Sequence, residues 1–144
     1  MVKRTGEVVM GIIGIVLSAL FSIIGIVTNM SMGDPAIMDE MEQMMESDPA
    51  MTPQDTSFIL GFAETMGWYL IVIGLIASIF GLVAVLTIVK NRKPILSGIM
   101  FILAALVIGI GTIGFGFIPG LLFLIAGIMA FVRKPKPSET VYQD

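Results

Sequence analysis

The sequence contains no cysteine and no histidine among its 144 residues, and only 13% of the residues are charged. Disulfide frameworks, zinc sites with cysteine or histidine ligands, thiol nucleophiles and histidine-based acid–base catalysis are therefore excluded. A soluble domain usually has about 25% charged residues, and a chain this short needs a largely polar surface in water. Because 56% of the residues are hydrophobic, we predict that much of the protein surface contacts lipid.

Sequence motifs of known enzymes are also missing. There is no Gly-rich phosphate-binding loop and no HExxH pair, and no serine can be matched with a histidine base. The long apolar stretches carry no charged residue, whereas proton relays and ion-coupled transport normally need ionisable groups inside the membrane. We therefore predict a protein without catalytic activity, cofactor or resident metal. Nucleic-acid binding is not expected either, because the few basic residues only flank apolar stretches.

Four apolar stretches have the length, or nearly the length, needed to cross a bilayer. A helix of about 20 residues spans the hydrocarbon core of about 30 Å. The stretches without charged residues cover 8–27, 68–89, 95–113 and 118–132. We predict an all-α membrane protein, in which residues 1–144 form one domain with four transmembrane helices. The fourth stretch is short, so it should cross with little tilt or thin the bilayer locally.

The eight lysine and arginine residues fall into three groups that predict the orientation. The groups lie before the first span, between the second and third spans, and after the fourth span, whereas segment 28–67 has none. Basic residues mark cytoplasmic segments. We therefore predict that both termini are cytoplasmic, that 133–144 is a cytoplasmic tail and that 28–67 is an extracellular loop. The basic groups should contact anionic lipids at the cytoplasmic face of the bilayer.

The predicted extracellular loop is too long for a simple connection, and it carries eight of the eleven acidic residues. Asp34-Pro35 is a helix-start signal, and the apolar residues that follow at spacings of three and four predict an amphipathic helix over 36–47. A second helical piece is predicted over 58–65. Together they should form a short helical cap over the bundle or along the membrane. The candidate partner-binding residues of this cap are Met38, Met41, Met44, Met45, Phe58 and Phe62.

Methionine is concentrated in the same region, since seven of the twelve methionines lie between positions 30 and 51. Thioethers are soft ligands that suit Cu(I), so soft-metal binding is one interpretation. The other is that methionine, an adaptable apolar side chain, serves packing or partner contact. The spacing favours the second interpretation, because the methionines form the apolar face of the predicted helix.

Residues near the span ends predict where helices begin. Thr5 has the chemistry of an N-cap, and Glu7 would lie in the first helical turn, where the helix dipole favours negative charge. We expect Glu7 at the depth of the lipid headgroups, and the alternative is a functional carboxylate inside the membrane. Pro94 and Pro119 are expected at the first helical position of the third and fourth spans.

Small residues recur four positions apart within each predicted span. This spacing lets helix backbones approach closely in lipid. Packing within one bundle would explain it, and homo-oligomerisation through one such face is the alternative. The residues concerned are Gly14, Ser18, Ser22, Gly74, Ser78, Ala105, Gly109, Ala126 and Ala130.

Three segments resemble one known family. They are Arg4-Thr5-Gly6-Glu7 with residues 11–15, the turn 90–94, and residues 117–134. The family consists of small membrane proteins of Gram-positive bacteria and is catalogued as domain of unknown function 4064. The resemblance implies a multi-pass protein of the bacterial plasma membrane with the same four spans, and it implies no known activity.

The sequence therefore predicts an integral membrane protein that works as an interaction or accessory subunit through its acidic, Met-rich outer loop. Its partner would be another membrane protein or a second copy of the chain. Two alternatives remain. One is a homo-oligomeric pore or cation channel, since an acidic loop would gather cations at its mouth. The other is soft-metal binding by the loop.

Overall fold

The computed structural model describes residues 4–89 and 93–133, and all the regular secondary structure in these ranges is α-helical. The all-α prediction is thus confirmed for the described residues. The predicted tail lies outside them except for Arg133, as does most of the turn 90–94. The helices are α1 (Thr5–Met32), α2 (Pro35–Glu46), α3 (Pro53–Val89), α4 (Pro94–Gly111) and α5 (Phe117–Val132).

Helices α1, α3 and α4 are long and apolar enough to cross a membrane, by length and composition. Helix α5 is equally apolar but has only 16 residues, which gives it a length of about 24 Å. Many large apolar side chains of all four helices are exposed on the outside of the bundle, as expected when the surrounding solvent is lipid. These features indicate a multi-pass membrane protein.

The antiparallel pair α1–α3 is built on small residues that recur every seven positions. They are buried on both helices, as Gly11, Ser18 and Gly25 on α1 and Gly67, Gly74 and Gly81 on α3. A Cβ atom on Gly25 would lie 2.6 Å from the carbonyl oxygen of Gly67, and one on Gly74 would lie 2.6 Å from that of Ser18. Seven residues make two helical turns, so a seven-residue spacing keeps the small residues on one seam.

Two aromatic rings fill the space that the small residues leave at the other end of the bundle. Phe101 of α4 and Phe123 of α5 are fully buried, and their ring centroids are 6.2 Å apart. A Cβ atom on Gly11 would lie 2.7 Å from the Phe101 ring, and one on Gly14 would lie 2.7 Å from the Phe123 ring. Gly14, Ser18 and Gly74, three of the small residues with the predicted spacing, therefore pack between helices of one bundle.

Helices α1 and α3 extend well beyond the other two apolar helices. Helix α3 has 37 residues and α4 has 18, or about 55 Å against about 27 Å. The last residue of α4, Gly111, packs beside Ile73 of α3, so α3 continues past the end of α4. The end of α1, all of α2 and the start of α3 form a helical projection that we call the stalk (residues 26–67).

The stalk corrects the expectation of a loop with two separate helical pieces. Helix α2 matches the predicted 36–47 closely, but α3 begins at Pro53 and runs without a break into the second apolar stretch. Helix α1 likewise continues to Met32. The expected span ends marked the point where polar residues begin, but polar residues do not stop a helix. Here α1 ends just before Gly33 and the Asp34-Pro35 pair.

Side chains and prolines fix most of the helix starts, although two predictions were wrong. Asp34 accepts a hydrogen bond from the Ala36 N–H at 3.0 Å and caps α2, and α4 begins at Pro94, both as predicted. Thr5 is the first helical residue rather than the N-cap, and Arg4 precedes it without a capping side-chain bond. Pro119 is the third residue of α5, because that helix already begins at Phe117.

The start of α3 is held by a reciprocal pair of polar side chains. The Thr52 N–H and hydroxyl both donate to Asp55 Oδ2, at 3.0 and 2.5 Å, and the Asp55 N–H donates to Thr52 Oγ1 at 3.3 Å. This is the geometry of a capping box, which satisfies backbone donors at a helix start. The hydrogen bonds from the Thr52 hydroxyl and backbone hold the pKa of Asp55 below its ordinary value of 3.8.

Candidate functional site: the stalk and the charged cluster at the opposite end

Helix α2 packs against the two other helical segments of the stalk without being embedded between them. None of its residues is buried. Met38, Met41 and Met45 are half-buried, whereas Met44 is 74% exposed. The predicted methionine face is therefore divided between residues partly covered by the protein and one that is open.

Phe58 and Phe62 form the most prominent apolar feature of the stalk. Their rings stack with centroids 6.4 Å apart, and the residues are 73% and 54% exposed. Gly61 lies on the same face of α3, and a Cβ atom there would meet nothing within 4 Å. The two aromatic rings thus lie beside the exposed backbone of α3 at Gly61. The structure brings together these two predicted site residues, which are neighbours at helical spacing.

All the charged residues of the stalk are acidic. The stalk contains no lysine or arginine, and all its acidic residues are exposed. In the described part of the chain, no three residues of the types Asp, Glu, His and Cys are grouped so that they could hold a metal ion. The acidic residues are Asp34, Asp39, Glu40, Glu42, Glu46, Asp48, Asp55 and Glu64.

A second group of charged residues lies at the opposite end of the bundle. Glu7 is fully buried, and its Oε2 atom is 3.3 Å from Nη1 of Arg133, just after α5. Arg4 is also buried, and its Nη2 and Nη1 atoms donate to the carbonyl oxygens of Arg133 and Ala130, at 2.7 and 3.4 Å. We call Arg4, Glu7 and Arg133 the terminal clasp.

The clasp ties the first helix to the last one. The final carbonyls of an α-helix have no partner within the helix and carry partial negative charge, and Arg4 supplies the missing donors for α5. Glu7 neutralises part of the positive charge that Arg4 and Arg133 bring. Glu7 Oε1 and Arg4 Nε, both buried, have no hydrogen-bond partner in the described structure.

The clasp changes the interpretation of Glu7. Glu7 lies in the first turn of α1 as expected, and its side chain is buried where α1 meets the end of α5. Its position at headgroup depth stays a prediction. The partners Arg4 and Arg133 were not predicted as site residues. The signal that could have found them is a lone acid at the start of the first apolar stretch and an arginine directly after the last one.

Three helices of membrane-spanning length and the exposed apolar surface of the bundle indicate a multi-pass α-helical membrane protein. The chain belongs to the family described as Protein of unknown function (DUF4064), whose family model matches residues 3–111. The match includes α1 to α4 with the stalk, and the resembling segment 117–134 lies outside it. No curated protein and no solved structure matches the chain.

Proposed function

We propose that this protein is a non-enzymatic interaction or accessory subunit of the bacterial plasma membrane and that the stalk is its recognition surface. The observation that carries the proposal is the exposed Phe58–Phe62 pair on a part of α3 that extends beyond α4. Contiguous exposed apolar surface outside lipid commonly marks a protein–protein contact. Aromatic side chains supply much of the binding energy at such contacts.

The proposal places four helices across the membrane, α1, α3, α4 and α5, with both termini on the cytoplasmic side. Arg4, Lys93 and Arg133 lie at the start of α1, the start of α4 and the end of α5. An up-and-down bundle brings these three helix ends to the same side, and the acidic stalk then lies on the other. This distribution follows the preference of basic residues for the cytoplasm.

The length of α3 then determines how far the Phe58–Phe62 pair lies from the membrane. Residues 68–89 extend about 33 Å, which matches the hydrocarbon thickness of about 30 Å. Trp68 and Tyr69 fall at the outer interface, a preferred depth for such rings. Phe58 lies ten residues before Trp68 in α3. It is therefore about 15 Å from Trp68 along the helix axis, on the side away from the membrane. On this arrangement the pair faces water, where an exposed phenylalanine gains from binding a partner.

Cysteine labelling can test this arrangement, because the sequence has no cysteine and any label on the purified protein must come from the introduced residue. We expect a membrane-impermeant maleimide to label a Gln43→Cys variant in intact bacterial cells. A Ser138→Cys variant should be labelled only after the cells are permeabilised. The reverse pattern would contradict the four-helix arrangement and with it the exposure of the stalk outside the cell.

Co-purification tests the recognition role itself. Purified from its own membrane in mild detergent, the wild-type protein should carry a partner in fixed proportion, and the double variant Phe58→Ser/Phe62→Ser should lose it. Phe115→Ser is the matched control, because Phe115 is 81% exposed in the α4–α5 turn on the same side of the bundle. Recovery of the wild-type protein alone in repeated preparations would contradict the proposal.

A further inference from the structure

We propose that the stalk binds a cationic amphipathic helix, in which basic side chains flank an apolar face. The inference rests on the recognition role proposed for the stalk and names the chemistry of its partner.

The apolar part of the surface has the shape that a helix can occupy. Gly61 and Phe62 follow Phe58 by three and four residues, and Thr65 follows them by four and three, so the four residues share one exposed face of α3. The open space over Gly61 lets another backbone come close to α3 beside the two rings. Amphipathic helices bind through apolar side chains at this same spacing.

The charges around this face are of one sign. Asp55 lies three residues before Phe58 and therefore on the same face, and Glu64 lies next to that face, three residues after Gly61. Asp55 is exposed, and the hydrogen bonds from Thr52 hold its pKa below the ordinary value. The stalk has eight acidic residues and no basic one. Such a surface attracts a cationic partner and repels an anionic one.

The negative charge of the stalk favours one of three possible binding partners, which are a second copy of the chain, lipid and a cationic helix. A second copy would bring two sets of eight acidic residues together without a basic residue in either stalk, which like-charge repulsion disfavours. Lipid is disfavoured because Phe58 lies about 15 Å beyond the interfacial Trp68. A cationic amphipathic helix complements both the aromatic pair and the acidic surroundings.

The test uses the full-length protein in nanodiscs of zwitterionic phosphatidylcholine. The probe is a fluorescent Leu/Lys amphipathic helix of about 18 residues, or five turns, and the control probe has glutamate in place of lysine. Fluorescence anisotropy should show that the cationic probe binds above the level of empty nanodiscs and more weakly as salt screens the charges. The anionic probe should not bind.

Variants separate the apolar contribution from charge alone. Phe58→Ser/Phe62→Ser and Gly61→Leu should each raise the Kd about tenfold or more, which corresponds to about 1.4 kcal/mol. Phe115→Ser should leave the Kd unchanged, since Phe115 lies outside the stalk. Unfolding curves should match those of the wild type for every variant.

Each contrary result has a distinct meaning. Binding that is unaffected by the Phe58, Phe62 and Gly61 changes would show simple polyanion attraction and overturn the inference. A dimer of the wild-type protein that Phe58→Ser/Phe62→Ser dissociates would identify a second copy as the occupant and also overturn it. If the cationic probe fails while co-purification still yields a stalk-dependent partner, the partner chemistry is wrong and the recognition role stands.

Discussion

Replacing Gly74 with valine should force α1 away from α3 and destabilise the protein by about 3 kcal/mol or more. A Cβ atom at this position would lie 2.6 Å from the Ser18 carbonyl oxygen and 2.8 Å from the Ser22 amide nitrogen. Both are backbone atoms, so no change of rotamer relieves the overlap. Separation of the helices would also break the hydrogen bond from Ser22 Oγ to the Ile71 carbonyl, at 3.1 Å.

Unfolding in detergent can measure this loss through Trp68, the single tryptophan of the chain. The matched control is Gly109→Val in α4, where an added Cβ atom would meet nothing within 4 Å. The control should change the free energy of unfolding by no more than about 0.5 kcal/mol. Equal effects of the two substitutions would show that close helix contact at Gly74 does not determine stability.

Replacing Arg133 with glutamine should destabilise the protein by about 2–3 kcal/mol. Removing one partner of a buried ion pair typically costs about 3–5 kcal/mol, because it leaves a charge buried without compensation. The Arg133 side chain is 42% exposed, and screening by solvent reduces its interaction with Glu7. The lower range applies for that reason.

The double variant Glu7→Gln/Arg133→Gln distinguishes an ion pair from a general loss of packing. It leaves no buried carboxylate unpaired, so it should recover about half or more of the stability lost in Arg133→Gln. The free energies of unfolding of the wild type, both single variants and the double variant complete the cycle. Additive losses in the cycle would mean that Glu7 and Arg133 do not stabilise one another.

Much of the fold follows from local patterns that the sequence displays openly. Apolar stretches of membrane length predict the long helices, and Asp34-Pro35 and Pro94 fix two helix starts. The charge-free stretch predicts a span that ends at Trp68, but the charged residue Glu64 does not interrupt α3, which is continuous from Pro53. A better guide was the seven-residue spacing of Gly67, Gly74 and Gly81, which continues to the buried Leu60 within the stalk.

The candidate site depends more on contacts between distant residues, which the sequence alone does not predict. The spacing of Phe58 and Phe62 predicts that they lie side by side, but only the fold reveals that no part of the described chain covers them. The burial of Glu7 depends on Arg133, 126 positions away. No local pattern encodes a contact of that sequence separation, because it exists only when α1 and α5 pack together.

The terminal clasp can form only late in biosynthesis, because its residues lie near opposite ends of the described chain. Arg133 follows Glu7 by 126 positions, so the ribosome adds it long after Glu7. Until α5 is made, the carboxylate of Glu7 lacks its Arg133 partner and Gly14 lacks the ring of Phe123. A chain that ends before α5 would therefore lack both the Arg133 partner of Glu7 and the Phe123 ring beside Gly14, so these contacts need α1 and α5 together.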